Sequence, residues 1–196
     1  MKILFFDLET TGLDAKRHSI IEIACIAEKD GQTLGDFKTK MRPHPGAEID
    51  DAALKINKTT RLELADIERM ESGTAAMAFQ KFLMQIVDRY NKSDKLFLAG
   101  YNSASFDSPF LRAWLERNGE RYFGALFHWP SHDIAVIAQL ALANEWGTLP
   151  NHKLATVAAR FGISVSTDAL HGAAYDVELA KGIYYASMKL LKTRSA

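Results

Sequence analysis

The sequence predicts an α/β fold, a mixed sheet flanked by helices, from the order in which its segments occur. Strand-like segments dominate the first forty residues. Amphipathic helical segments dominate the remainder, with one further strand-like run among them. Strands first and alternating helices afterwards are typical of a mixed sheet rather than a regular βαβ repeat. The length of 196 residues and the hydrophobic share of 47% suit a single domain over 1–196 with a continuous core.

Three strands are predicted near the start of the chain, at 2–8, 19–27 and 34–41. The first two are rich in Ile, Leu and Phe and are separated by the turn-like segment TTGLDAKRH. Asp30-Gly31 precedes the third, and such short links favour antiparallel neighbours. The loop MRPHPGAEID follows. Asp50 or Asp51 can cap a short helix that runs through Ile56.

The remaining elements are predicted mainly from helical periodicity. The helix after Thr74 has apolar residues at i, i+3, i+4 and i+7 spacing, namely Phe79, Phe82, Leu83, Ile86, Val87 and Tyr90. Residues 95–101 are apolar and indicate an interior strand. A helix then begins near Ser105 to Pro109 and ends at Asn118-Gly119, with a buried stripe of Phe110, Leu111, Trp114 and Leu115. Further helices are predicted at 133–144, 151–161 and 174–191, and the polar tail 192–196 is expected to fray.

Composition excludes several classes of protein. Lys plus Arg and Asp plus Glu both number 24, so the net charge gives no long-range attraction to a nucleic acid, and any such binding must be local. The single cysteine, Cys25, excludes an internal disulfide and a cysteine-rich zinc site. The opening MKILFF is too short for a signal peptide, and no run approaches transmembrane length. We therefore expect a cytoplasmic protein without a membrane partner.

Two carboxylates lie near the end of the first predicted strand. Asp7 and Glu9 are two residues apart in FFDLETTG, so on a strand both side chains leave the same face. Like charges repel and are costly to bury, and a divalent cation is the simplest compensation. If the strand ended at Phe6, both acids would instead be solvated in a loop. The pair alone does not decide between these interpretations.

Two later segments supply further acids and a histidine. Asp107, in YNSASFDSPFL, lies at the opening of a helix, where a carboxylate is an ordinary first-turn residue. His171 and Asp176 are five residues apart in HGAAYD, an offset that does not place both on one face of an ideal helix. His171 is therefore expected before the helix or in its first turn. Taken alone, each segment is better explained by ordinary surface and helix-start residues.

Considered together, the four acids indicate a site for divalent cations. Asp7, Glu9, Asp107 and Asp176 carry four negative charges, which two divalent cations would neutralise. Oxygen ligands suit Mg²⁺, with Mn²⁺ able to substitute, whereas zinc prefers nitrogen and sulfur. The other histidines show no paired ligand spacing, and no function is assigned to them: His18, His44, His128, His132 and His152.

The three segments resemble the motifs of a DEDDh-type 3′-5′ exonuclease of the DnaQ-like (RNase H-like) superfamily. FDLETTG is similar to the first motif at Asp7 and Glu9, YNSASFDSPFL to the second at Asp107, and HGAAYD to the third at His171 and Asp176. The resemblance spans nearly the whole chain, and three ordered motifs are far more specific than one. It implies an RNase H-like sheet whose strands run parallel after the first three.

The resemblance also implies a reaction. Nucleoside 5′-monophosphates would be released from the 3′ end of single-stranded DNA by hydrolysis that depends on two metal ions held by the four acids. His171 would act as the general base, and the ordinary histidine pKa of about 6.5 suits a base that works near neutrality.

Contacts to the 3′ nucleotide are implied at Leu13, Asn102 and Phe106. For the two apolar residues, core packing is the alternative explanation. The segment ALKINKTTRLEL departs from the family pattern, because Asn57 stands where histidine is common and Lys58 where glycine is common. Asn57 is carried over as a substrate contact at a position whose family residue differs.

The motifs leave the substrate open. DNA proofreading or repair, RNA 3′-end trimming and oligoribonuclease-like activity share them, and contacts to a 2′ hydroxyl cannot be placed from one sequence. A DNA polymerase subunit is an open partner, and the oligomeric state is not determined. A non-catalytic nucleic-acid-binding or polymerase-associated module is the alternative of another class. The presence of all five motif residues argues against it.

Overall fold

A mixed sheet forms the centre of the molecule. The computed structural model describes residues 1–194. Strands β1 (Lys2–Thr10), β2 (Ile20–Lys29) and β3 (Gln32–Lys40) are antiparallel neighbours. Strands β4 (Phe97–Gly100) and β5 (His132–Asp133) continue the sheet in parallel, so that its order within the described residues is β3-β2-β1-β4-β5. The predicted mixed sheet is confirmed.

Helices surround this sheet. Those before β4 are α1 (Asp51–Ile56), α2 (Arg61–Leu64) and α3 (Ser72–Ile86). Those after β4 are α4 (Asp107–Arg117), α5 (Phe123–Leu126), α6 (Ile134–Ala141), α7 (Leu154–Arg160) and α8 (Ala173–Arg194).

The alternation of side chains along β1 divides the core in two. Leu4, Phe6 and Leu8 face a cluster that includes residues of α3 and α4. Ile3 and Phe5 face a second cluster that includes residues of α6, α7 and α8. Because strand side chains alternate between faces, the next odd-numbered residues of β1 point toward the α8 side. This parity decides where the acids of the first motif lie.

The helix boundaries differ from the predicted ones where a local turn competes with the helix. Helix α3 ends at Ile86, and Tyr90, predicted on its buried face, is 90% exposed. The carboxylate of Asp88 accepts a hydrogen bond from the Tyr90 amide, and this turn starts a new direction of the chain. At the other end of the chain, α8 continues through 192–194 of the tail that was expected to fray, and 195–196 lie outside the described residues.

The short elements that were not predicted include α2, α5 and β5. Helix α2 has a sequence signature, because the hydroxyl of Thr60 accepts from the Glu63 amide while the Glu63 carboxylate accepts from the Thr60 amide. The other two have too few residues to show a periodicity and depend on the neighbours they pack against. No helix within residues 1–194 combines the length and the apolar character that crossing a membrane requires.

Candidate active site

Carboxylates from β1, α4 and α8 converge where β1 ends. Asp7, Glu9 and Asp176 each offer a carboxylate oxygen, and these oxygens lie within 4.8 Å of one another. Asp7 and Glu9 share the β1 face that points toward α8, and Asp176 stands in the first turn of α8. Asp107, the first residue of α4, lies beside this group, and its charge acts on Asp7. The structure therefore brings all four predicted acids together.

Burial and mutual repulsion make this cluster unfavourable without a cation. Burial, with the charges of Asp107 and Glu9 added, raises the pKa of Asp7 well above its usual range. Burial and the charge of Asp176 raise the pKa of Glu9 to about 8. Burial raises the pKa of Asp107 to about 7, although the backbone groups of Asp107 and Leu8 act to lower it. Burial also raises the pKa of Asp176.

The residues present fit a divalent metal site. Atom Oδ1 of Asp176 is buried and has no hydrogen-bond partner, and such an atom is costly unless a cation or a water completes it. The donor set consists of carboxylate oxygens, the type that Mg²⁺ and Mn²⁺ prefer. The positive charge of a cation would also oppose the repulsion that raises the four pKa values.

A network of hydrogen bonds to Asp133 orients the segment that leads to Asp107. The carboxylate of Asp133 accepts from the amides of Asn102 and Ala104, each at 3.1 Å, and from the amide of Ala135 at 3.0 Å. Asp133 thereby caps α6, as its predicted place at a helix start suggested, and also fixes the chain between β4 and α4. It was not predicted to belong to the site.

His171 precedes α8 in a constrained backbone conformation. Its φ of 65° is in the left-handed region, which residues other than glycine rarely adopt. Its amide donates to Oδ2 of Asp176 at 3.2 Å, so the histidine and the acid are tied through the backbone. The side chain is exposed and lines a cleft beside the carboxylates, a position from which an imidazole can exchange protons with a bound molecule.

Two clefts flank the carboxylates. The large cleft, of about 770 Å³, is lined by Asn102, His171 and Asp176 and by an aromatic wall of Tyr101, Trp146 and His152. The small cleft, of about 230 Å³, is lined by Glu9 together with the predicted substrate contacts Leu13, Asn57 and Phe106. Ile56 borders both. The predicted substrate contacts thus divide between the two clefts.

The side chains predicted to contact substrate differ in their exposure and in the contacts they already make within the protein. Leu13 is 80% exposed at the small cleft, although solvent exposure of a leucine is unfavourable. Phe106 is partly buried against the core, and its ring lies 5.1 Å from that of Phe110. The side-chain amide of Asn57 donates to the carbonyl oxygen of Thr10 at 2.8 Å, so it supports the end of β1.

Other residues near the site were not predicted. Glu22 pairs with Glu9 across β1 and β2, and its charge contributes to the raised pKa of Glu9. Lys40 lies 3.6 Å from Glu22 and lowers the pKa of Glu9. Trp146 stacks on His152 with ring centroids 4.4 Å apart. Strand register and loop path create these neighbours, and neither can be read from one sequence.

Comparison with known proteins identifies the family of this chain. A family model described as an exonuclease, RNase_T, matches residues 4–184. The chain belongs to this exonuclease family. It is thereby a member of the DnaQ-like 3′-5′ exonuclease superfamily, whose nucleases depend on divalent metals.

Solved structures share the exonuclease fold. The zinc-bound complex of Escherichia coli exonuclease I with single-stranded DNA superposes with a TM-score of 0.73, at 23% identity over 98% of this chain and 40% of that one. A complex of the same enzyme with a dT13 oligonucleotide gives a TM-score of 0.72, at 21% identity over 95% of this chain and 40% of the other. The RNase H-like architecture is therefore confirmed.

Curated relatives in this exonuclease family differ in size and function. A PolC-type DNA polymerase III of Staphylococcus haemolyticus (strain JCSC1435) is 28% identical over 95% of this chain, which spans only 11% of that polymerase. An oligoribonuclease of Bordetella pertussis is 27% identical over 71% of this chain and 75% of its own length. These relatives act on different nucleic acids by name, so they do not identify the substrate.

Proposed function

We propose that this chain acts as one exonuclease domain that removes nucleoside 5′-monophosphates from the 3′ end of single-stranded DNA. The observation that carries the proposal is the cluster of Asp7, Glu9 and Asp176, with oxygens within 4.8 Å, beside Asp107. Exonuclease I, whose fold this chain shares, is bound to single-stranded DNA in the solved complexes. Proofreading or repair is the role we propose.

In this proposal each side chain has a task. The four acids hold two Mg²⁺ ions, which Mn²⁺ can replace. When bound, the ions supply charge neutralisation of the phosphate and Lewis-acid activation of water. His171 takes the proton of the attacking water on an imidazole nitrogen. The large and small clefts receive the nucleotides on either side of the carboxylates.

The proposal extends to the substrate contacts. Leu13 packs against the terminal base in the small cleft, because its exposed side chain gains by removal from water. Phe106 adds an aromatic edge there, and Asn57 holds the end of β1 against the nucleotide. Asn102 contacts the substrate from the large cleft, which it shares with His171.

RNA is the second candidate substrate. The oligoribonuclease relative, of which the chain covers 75%, supports RNA 3′-end trimming or the removal of short oligoribonucleotides. The PolC-type relatives support a DNA polymerase as a partner, although the chain spans 11% of those proteins. A catalytically idle nucleic-acid-binding module is the contrasting hypothesis.

The deciding experiment compares matched single-stranded DNA and RNA of one sequence, each labelled at the 5′ or the 3′ end. With Mg²⁺ or Mn²⁺, the 3′ label should leave as a mononucleotide and the 5′-labelled strand should shorten stepwise. EDTA should stop both reactions. The ratio of the two rates selects DNA or RNA as substrate. Binding of both polymers without cleavage would refute the enzymatic proposal in favour of the binding module.

A further inference from the structure

The loop that carries His171 has no fully buried residue, and its apolar side chains Ile163, Val165 and Leu170 pack partly buried against the second core cluster. It spans 163–172, between α7 and α8, and its exposed residues include Ser166, Thr167 and Asp168. Within the loop and to α8, the amide of Ser166 donates to the hydroxyl of Tyr175 at 2.6 Å, and the amide of His171 donates to Asp176. Segments with few buried apolar contacts open locally at low free-energy cost. The orientation of His171 therefore depends on this partial packing and on the hydrogen bonds that the loop makes.

A lysine from a distant part of the sequence supplies two of these bonds. Atom Nζ of Lys58 donates to the carbonyl oxygens of Asp168 and Leu170, each at 3.2 Å. Lys58 follows α1, more than a hundred positions earlier, with sequence separations of 110 and 112. The bridge therefore joins the segment beside the small cleft to the loop beside the large cleft.

The backbone is strained at Lys58 and at His171, the residue that follows the bridged Leu170. Lys58 has a φ of 51° and His171 a φ of 65°, values that favour glycine. Residues held in such conformations persist where surrounding contacts fix them. At Leu170, directly before His171, the Lys58 bond supplies such a contact on one side, and the His171–Asp176 bond supplies one on the other.

We propose that Lys58 is a positioning residue that holds the His171 loop closed against the carboxylates. The inference rests on the proposed function, because His171 is taken as the general base. A general base must lie within hydrogen-bond reach of the proton it removes, so a loop that opens part of the time lowers the turnover rate. Lys58 holds the loop backbone and does not touch the reacting atoms, while its charge also acts to lower the pKa of Asp176. Substrate binding is left nearly unchanged when it is lost.

Three substitutions separate the bridge from its side effects. Lys58→Met removes the donors and keeps the length of the side chain. Lys58→Gly removes the donors and also relieves the positive φ, so backbone strain does not contribute to a loss in this variant. Lys58→Arg retains charged donors and should preserve the bridge. Lys81→Met is the control, since Lys81 is an exposed lysine on α3, which packs on the opposite face of the sheet.

The first measurement is hydrogen exchange of the amides of 164–171, which needs neither metal nor substrate. Exchange should become about tenfold faster in Lys58→Met and Lys58→Gly, while Lys58→Arg and Lys81→Met match the wild type. Equal exchange in all five proteins would overturn the inference, whether or not the chain is a nuclease.

The second measurement is kinetic and uses a His171→Ala background. Alone, Lys58→Met should lower kcat about tenfold with KM changed less than about twofold, and Lys58→Arg should recover most of the loss. Combined with His171→Ala, it should cause no further loss, because the residue acts through the histidine. A raised KM with an additive loss would assign Lys58 to the substrate and overturn the positioning role. A wild type without nuclease activity would refute the proposed function, while the exchange data would still decide the bridge.

Discussion

Asp7 lies among three other carboxylates, and a substitution there distinguishes metal binding from folding. Replacement by asparagine keeps the shape but removes one charge from the cluster. We expect Asp7→Asn to lower nuclease activity by about 10²- to 10³-fold or more, since preorganised electrostatic groups contribute this much to catalysis. The metal-free variant should be at least as stable as the wild type, because repulsion is relieved.

Thermal unfolding with and without Mg²⁺, measured beside the activity, checks this prediction. The stabilisation by Mg²⁺ should be lost in Asp7→Asn. The matched control is Glu178→Gln, an exposed carboxylate two positions beyond Asp176 on α8, which should behave as the wild type. Full activity in Asp7→Asn would remove Asp7 from the metal site.

His171→Ala is expected to lose activity, as Asp7→Asn does, but to keep the stabilisation by Mg²⁺. A general base contributes about 10²- to 10⁴-fold to the rate, so His171→Ala should lower kcat by that factor. The ligand set of carboxylates stays complete, and Mg²⁺ should therefore raise Tm of this variant as much as that of the wild type. Loss of both activity and Mg²⁺ stabilisation would instead make His171 a metal ligand. His128→Ala, a histidine that lines neither cleft, serves as the comparison and should keep activity.

At the scale of secondary-structure elements, the end of β4 sets the place of Asp107. A Cβ added at Gly100 would come within 2.8 Å of the carbonyl oxygen of Phe6 and 2.7 Å of the Ser103 Cβ. Backbone cannot yield as a flexible side chain does, so β4 would move away from β1 and take the start of α4 with it.

We therefore predict that Gly100→Ala lowers the free energy of unfolding by about 1 to 3 kcal/mol, as overpacking of a core does. Activity should also fall, since Asp107 shifts relative to Asp7. Urea unfolding and the nuclease assay measure the two effects. Gly124→Ala is the control because Gly124 is an exposed position of helix α5 and nothing lies within 4 Å of its added Cβ. An unchanged unfolding midpoint in Gly100→Ala would contradict the close approach.

The elements also show what a single sequence can reveal. The stripe of Phe110, Leu111, Trp114 and Leu115 was predicted and is buried, because a long amphipathic helix repeats its pattern. The parity of β1 likewise placed Asp7 and Glu9 on one face. Glu22 and the Lys58 bridge could not be predicted, since their positions depend on strand register and on how distant segments meet.

At the scale of the whole molecule, the raised pKa values link stability to pH. The pKa of Glu9 is raised from 4.5 to about 8 and that of Asp107 from 3.8 to about 7 on folding. The folded chain therefore binds more protons than the unfolded chain between these limits, and its stability falls as pH rises. Below pH 6.5 the lowered pKa of His132 makes stability rise with pH. The effect of the acids is therefore best measured above pH 6.5.

We predict that, with a chelator present, the free energy of unfolding falls by about 2 kcal/mol between pH 6.5 and 8, since one pKa unit corresponds to about 1.4 kcal/mol. Adding Mg²⁺ at pH 8 should restore the lost stability. Denaturant unfolding at several pH values measures the slope, which should be shallower in Glu9→Gln. A free energy of unfolding that rises with pH in the wild type with chelator would refute the electrostatic account of the cluster.

The two edge strands of the sheet affect how readily the chain aggregates when it is crowded or partly unfolded. On one side β5 contains only two residues, and on the other β3 has charged side chains in its second half, at Asp36, Lys38 and Lys40. Long, flat and apolar borders are the ones that recruit further strands, whereas short or charged ones resist this. Within the described residues, the sheet is therefore a poor template for growth into an intermolecular β-aggregate.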